Sequence, residues 1–240
     1  AFLGDGLAHS AFGGLALGAF VAAATGHVTL LAEPLLIAVP FTLLTALGIA
    51  WVRDRTRLSS DVTIGVFFAV SVALGVLFVS IIPPERAVVD VWHLLFGSIL
   101  AVGPGDLPVI AVVTILAVIT LLAAWPRLAY ATFDEELART DGVRVRALEY
   151  LLFAVSALVV VVSARVIGIV LMAAYLIIPA AVARLLSRSL ATMTLLAVAF
   201  GLLTTGGGLI ASYLLDIPSG STIILSQAAV FLLAALLARR

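Results

Sequence analysis

Apolar residues run along this chain in blocks close to twenty long, separated by short polar stretches, and they do not alternate at every second position. Blocks of that length match the roughly 30 Å of hydrocarbon that a helix must cross, whereas a membrane barrel shows roughly ten-residue alternating segments. The pattern predicts eight spanning helices, at about 2–24, 34–52, 62–82, 106–126, 149–166, 168–187, 190–214 and 222–238. One further apolar stretch, Val89 to Val102, is too short to span. It is bracketed by Pro83-Pro84 and Gly103-Pro104-Gly105, which predicts a half-helix or interfacial helix on one side of the membrane. No internal repeat or long linker divides the series, so residues 1–240 read as a single all-α domain, a polytopic transmembrane helical bundle.

Composition agrees: 64% of residues are hydrophobic, 11% are charged, and the mean hydropathy is +1.30. The formal net charge of zero conceals an uneven distribution of thirteen basic residues, all of them Arg. Without Lys the chain cannot build a phosphate-binding P-loop, so any ATP hydrolysis that drives it belongs to another chain. Without Cys it has no disulfides, thiolate ligands or Cys nucleophile. The residues from Ala1 onward include Asp5 and His9 in place of the basic start of a signal peptide.

The arginines orient the bundle. Arg53, Arg55 and Arg57 share one loop, Arg139, Arg144 and Arg146 another, Arg184 and Arg188 a third, and Arg239 and Arg240 the end. The positive-inside rule places all four groups in the cytoplasm. The opposite connections hold Glu33, Glu85, Asp90, Asp106 and Asp216 with the single basic residue Arg86, and face outward. Arg165, at the turn between the fifth and sixth spans, is the exception.

Few ionisable residues lie within the spans. Asp5 and His9 are four residues apart on the first turns of the first helix and so share one face, where in lipid they are costly for packing alone. A hard carboxylate oxygen and a borderline imidazole nitrogen together suit Zn²⁺, Mn²⁺ or Fe²⁺, and two ligands make a transient stop of the kind a translocation path needs. The competing reading is a pair at a helix end that meets water. Asp61 follows Ser59-Ser60 at the start of the third helix, where capping and the helix dipole come first and a place on the path second. Pro40 and Pro179 lie inside apolar helices, as packing kinks first and mobile elements second. His27, His93 and Asp90 belong to outward connections and read as solvated surface. Gly13, Gly14, Gly18, Gly206, Gly207 and Gly208 read as sites of close helix approach.

The cytoplasmic stretch Phe133-Asp134-Glu135-Glu136-Leu137-Ala138-Arg139-Thr140-Asp141-Gly142 is rich in charge. Glu136 and Arg139 suit a short helix that Gly142 stops, and Leu137 with Ala138 would give it an apolar patch fitted to a groove in a partner.

Taken together these motifs resemble the permease subunits of zinc/manganese/iron-type metal importers of the ATP-binding-cassette class. The likeness rests on Leu3-Gly4-Asp5 with His9, on Phe96 to Leu100, on Phe133-Asp134-x-Glu136-x-Ala138-x-x-x-Gly142, on Gly168 through Leu176-Ile177-Ile178-Pro179-Ala180-Ala181-x-Ala183, and on Ser212-Tyr213 with Asp216 to Gly220. It implies an architecture similar to vitamin B12 and siderophore importer permeases. In that architecture two copies act over two separate ATPase subunits in a bacterial or archaeal cytoplasmic membrane, with an extracytoplasmic binding protein delivering the metal. Asp5 and His9 take the family's path-lining pair, and Asp134, Glu136, Ala138 and Gly142 its ATPase-coupling helix. Asp61 and Pro179 are secondary path candidates. No permanently bound cofactor, nucleic-acid partner or covalent chemistry is implied. Two departures stand out: the family's usual first membrane helix is absent from this sequence, and Gly6, where the family more often has Ala, is expected to loosen the helix beside Asp5. A permease for haem, siderophore or cobalamin on the same fold is the nearer alternative, although a bulky cargo favours a wider apolar path without a paired Asp and His. An ion-coupled secondary transporter, which would want more acidic residues deep in the spans, or an intramembrane enzyme, which would want a nucleophile–base pair, is the remote one.

Overall fold

In a computed structural model the apolar blocks become eight long helices, each long and apolar enough to cross a membrane, among the described residues 2–25, 33–56, 58–83 and 102–238. They are α1 (Phe2–Thr25), α2 (Pro34–Arg55), α3 (Ser60–Ile81), α4 (Asp106–Phe133), α6 (Val145–Ile167), α7 (Ile169–Leu186), α8 (Leu190–Leu215) and α9 (Ser219–Ala238). A six-residue helix, α5 (Glu135–Thr140), lies between α4 and α6. The stretch from 89 to 101 expected to form a half-helix, together with His27, Arg57, Glu85, Arg86, Asp90, His93 and the Phe96 to Leu100 motif, lies outside the described residues.

Most helix ends fall within a few residues of those expected; the departure lies in the cytoplasmic connection. The fourth span, expected over 106–126, continues through Pro126 to Phe133. Proline removes one ladder hydrogen bond, and Leu128, Ala129 and Ala131 beyond it are good helix formers. With α6 also starting at Val145, that connection shrinks to α5 and its flanking turns.

Helix α1 is the axis of the fold. It packs against α2, α3, α6 and α7, while α4 lies outside α6, and α8 and α9 group with α7. Its glycines set the register. A Cβ on Gly18 would stand 2.7 Å from Pro34 Cα, and one on Gly14 would stand 3.0 Å from Ala38 Cα, so only a missing side chain lets the α1 and α2 backbones come this close. Gly13 meets Ser71 and Gly6 meets Ile64. Pairings therefore descend on α2 and ascend on α3 as α1 is followed, so α1 runs antiparallel to α2 and parallel to α3. That is the alternation the arginine pattern requires. Of the later glycines, Gly208 presses on Ile223, whereas Gly206 and Gly207 face open space and bring no helix close.

Ion pairs tie helices together at both ends of the bundle. At the cytoplasmic end Arg53 pairs with Glu149, and Arg146 Nε lies 3.0 Å from Asp54 Oδ1, tying α2 to α6. At the opposite end Arg165 pairs with Glu33 and lies 3.5 Å from Asp106 Oδ1, linking the start of α2, the start of α4 and the end of α6. The one arginine that breaks the positive-inside pattern thus stands between two outward carboxylates. Immediately beyond it Gly168, at φ 79°, makes the tight α6–α7 turn in a region that L side chains rarely adopt.

Candidate functional site

The first residues of α1 do not lie at the rim of the bundle. A Cβ on Gly4 would touch Leu176, ten residues before the cytoplasmic end of α7 at Leu186, while one on Gly6 would touch Ile64, four residues into α3, and at about 1.5 Å per residue these contacts lie about 6–15 Å in from the helix ends. Asp5 and His9 therefore sit inside the bundle, on a helix whose other faces are packed. Their own side chains are only part-buried, 37% and 29% exposed. This is the one face near the start of α1 that opens away from the core, between the buried neighbours Leu7, Ala8 and Ala11.

The local geometry is specific. His9 Nδ1 lies 3.0 Å from the Asp5 carbonyl oxygen and 3.5 Å from Asp5 Oδ1. A carbonyl can only accept, so Nδ1 carries the proton and a neutral ring keeps its lone pair on Nε2. Pinning one ring nitrogen to a backbone oxygen is how proteins orient an imidazole that must ligate with the other. The ring is held from the second side by Phe68 of α3, with centroids 4.3 Å apart at 53°. Beneath the pair a Cβ on Gly6 would fall 2.5 Å from Ile64 Cγ2, a branched side chain with little room to move. Gly6 thus seats α3 against the back of the site. Among the described residues no group of three or more His, Cys, Asp or Glu side chains could hold a metal, so within them the pair stands as two ligands.

The remaining candidates fall elsewhere. Ser59, not Asp61, caps α3, its side chain accepting from Val62 N at 3.3 Å. Asp61 is exposed in the first turn, where its carboxylate favours the helix dipole. Pro179 is buried within α7.

On the cytoplasmic face Asp134 adopts extended backbone and caps α5, its Oδ1 accepting from Leu137 N at 2.9 Å. At the other end Gly142 takes φ 82°; its N–H reaches Arg139 O at 3.2 Å, and Val143 N–H reaches Ala138 O at 2.9 Å. This pair of bonds is a Schellman stop, which explains the spacing from Asp134 to Gly142 as a cap, one and a half turns, and a glycine in the left-handed region. Arg139 pairs with Glu135, not with the expected Glu136, since four residues bring the side chains closer than three do. Ala138 is fully buried against its own chain, so the expected Leu137–Ala138 patch divides. Leu137 of α5 and Phe133 at the end of α4 are exposed apolar side chains here, 50% and 78% exposed, with Glu136 exposed as well.

Sequence reading missed Phe68 and the partners of Arg165. Nothing local marks Phe68 among the apolar residues of α3, and only the parallel α1–α3 register selects it. Arg165 did carry a signal, as the arginine that disagreed with the other groups. The Ser212 to Asp216 motif is a turn device: Asp216 caps α8 in the left-handed region, and Ser212 Oγ donates to Ile217 O at 2.6 Å.

A profile described as the ABC 3 transport family matches residues 1–238. The chain belongs to the ABC 3 transport family. Its relatives include the high-affinity zinc uptake system membrane protein ZnuB of Haemophilus influenzae, 32% identical over 233 residues that cover 97% of this chain and 85% of that protein. The manganese import system permease protein ScaB of Streptococcus parasanguinis is 36% identical over 233 residues, covering 96% of this chain and 78% of the relative. Among solved structures, PsaBC from Streptococcus pneumoniae in complex with Fab superposes with a TM-score of 0.80 at 30% identity, covering 97% of this chain and 80% of that one. ABC 3 membership and this superposition agree with an eight-helix transport permease in the membrane.

Proposed function

We propose that this chain is the permease subunit of an importer for a divalent transition-metal ion, Zn²⁺, Mn²⁺ or Fe²⁺, and that Asp5 and His9 are its contact with the ion in transit. The carrying observation is an oriented Asp–His pair on the most enclosed of the described helices, open on one face. Relatives named for zinc and manganese transport support the same cargo class. A pair of copies facing one another across this open side brings two carboxylates and two imidazoles to one path, which supplies a coordination shell that a single chain lacks. A separate ATPase subunit drives the cycle. Its closure moves α5, and the bundles switch from outward to inward opening, with a binding protein supplying the ion from outside.

The test is heat protection of the purified transporter by a panel of ions, since a ligand that binds the native state raises its unfolding temperature. Zn²⁺, Mn²⁺ or Fe²⁺ should protect where Mg²⁺ and Ca²⁺ do not, and Asp5→Asn should remove the protection. Protection by haem or cobalamin instead, or by no metal at all, contradicts the proposal.

A further inference from the structure

We infer that the cytoplasmic end of α4 and the start of α6 form a binding site for the phosphate headgroup of an anionic phospholipid, held between Arg127 and Arg144. The two arginines line a cavity of about 540 Å³ together with Asp141, Gly142 and Leu148, a volume within the roughly 300–1,000 Å³ of small-molecule sites. Arg184 and Arg188, on the same side, do not line this cavity, and several of the other arginines near this end are already engaged. Arg53, Arg139 and Arg146 each have a carboxylate partner, and Arg55 lies over the Trp51 ring. Arg127 and Arg144 have no ion-pair partner among the described residues. The one carboxylate in the cavity wall, Asp141, already accepts the Tyr130 hydroxyl. Two guanidinium groups against one engaged carboxylate leave the cavity with a positive excess, and guanidinium pairs bind phosphate oxygens with charge-assisted hydrogen bonds.

Placement selects a lipid over other sources of phosphate. Helix α4 packs mainly on α6 and turns exposed Ile115, Ile119 and Leu122 to the outside, as a lipid-facing helix does. Trp125 and Arg127 follow along the same helix, the aromatic-then-basic order that marks the headgroup level. Arg127 lies six residues before the helix end at Phe133, hence about 9 Å above it. The cavity therefore opens at the membrane boundary on the side of the bundle that carries the arginine groups, where anionic lipid attracts basic pockets between spans. The inference does not depend on which ion is transported.

The experiment measures lipid retention by native mass spectrometry on the full-length purified protein, after exchange into vesicles of equal phosphatidylglycerol and phosphatidylcholine with matched acyl chains. Wild type should retain phosphatidylglycerol preferentially. Arg127→Gln with Arg144→Gln should weaken that retention by about tenfold or more, two near-surface arginines at about 1 kcal/mol each. Arg127→Lys with Arg144→Lys, which keeps the charge, should hold most of it, and Arg144→Gln alone serves if the double variant does not fold. Equal retention of the two lipids by wild type, or unchanged phosphatidylglycerol on the Gln variants, overturns the inference. So does competition by millimolar inorganic phosphate as effective as lipid, which makes the cavity a free-phosphate site. If the Gln variants lose an added ATPase subunit while keeping phosphatidylglycerol, the cavity is a socket for an acidic protein surface and the lipid reading fails.

Discussion

Helices α1 and α4 invert the rule of soluble proteins. α1 is the least hydropathic of the eight spans and the most enclosed, with 72% of its membrane window buried; α4 is the most hydropathic and only 11% of its window is buried. In lipid the outside is as apolar as any core, so hydropathy marks what faces the bilayer. Close backbone packing and polar residues mark what lies inside. α1 is enclosed because Gly6, Gly13, Gly14 and Gly18 let two neighbouring helices approach it, and Asp5 and His9 lie on the face that this packing leaves open. α4 has no such glycines and no buried ionisable residue in its span beyond the ends.

The comparison breaks most severely at Gly18. Gly18→Ala puts a Cβ against the Pro34 backbone, which cannot move aside as a flexible side chain could, and should cost about 1–3 kcal/mol. Thermal unfolding in detergent should show a lower midpoint and reduced monodisperse yield. The matched change Gly207→Ala, which meets nothing, should leave both unchanged or slightly raised. Equal behaviour of the two variants would remove glycine packing as the reason α1 is central.

A smaller effect is expected at the cap of α5. Asp134→Ala removes the bond to Leu137 N and should loosen that six-residue helix by about 1 kcal/mol. The global midpoint should hardly move, while ATP hydrolysis coupled to transport by an added ATPase subunit should fall. An unchanged coupled rate would argue that α5 is not the contact that carries the ATPase stroke.

The smallest effect belongs to Arg165. Its guanidinium links Glu33 and Asp106 at a part-exposed end, where such pairs contribute about 0–1 kcal/mol. Arg165→Gln should lower the midpoint by no more than a few degrees, with most of the difference erased in high salt. A large loss that persists in high salt would instead make the outward end, and not α1, the organising part of the bundle.

Much of this was legible in the sequence, and the reason differs by region. Spans and orientation are written in block length and arginine placement, which are one-dimensional signals. The α4 extension through Pro126 was not, because proline disfavours a helix without forbidding it and the residues beyond decide. The Asp5–His9 face was readable because four residues always share a helical face, and the Asp134–Gly142 stop because capping is local. What the sequence could not supply is everything that depends on which helix lies next: Phe68 against His9, Ile64 against Gly6, and Ala138 turned inward. Those are properties of helix register, which no single segment contains.

The central claim is that α1 is enclosed in order to present Asp5 and His9 as one unit to a passing ion. Initial-rate uptake of radiolabelled Zn²⁺ and Mn²⁺ into proteoliposomes holding the permease and its ATPase, for Asp5→Asn, His9→Ala and the double variant, tests it most directly. Each single change should lower uptake by roughly tenfold or more while the ATPase stays bound, and the double variant should be scarcely worse than the more damaged single one, because losses within one site do not add. Normal uptake in Asp5→Asn, or losses that multiply in the double variant, would contradict the account and leave two separate polar residues on a buried helix.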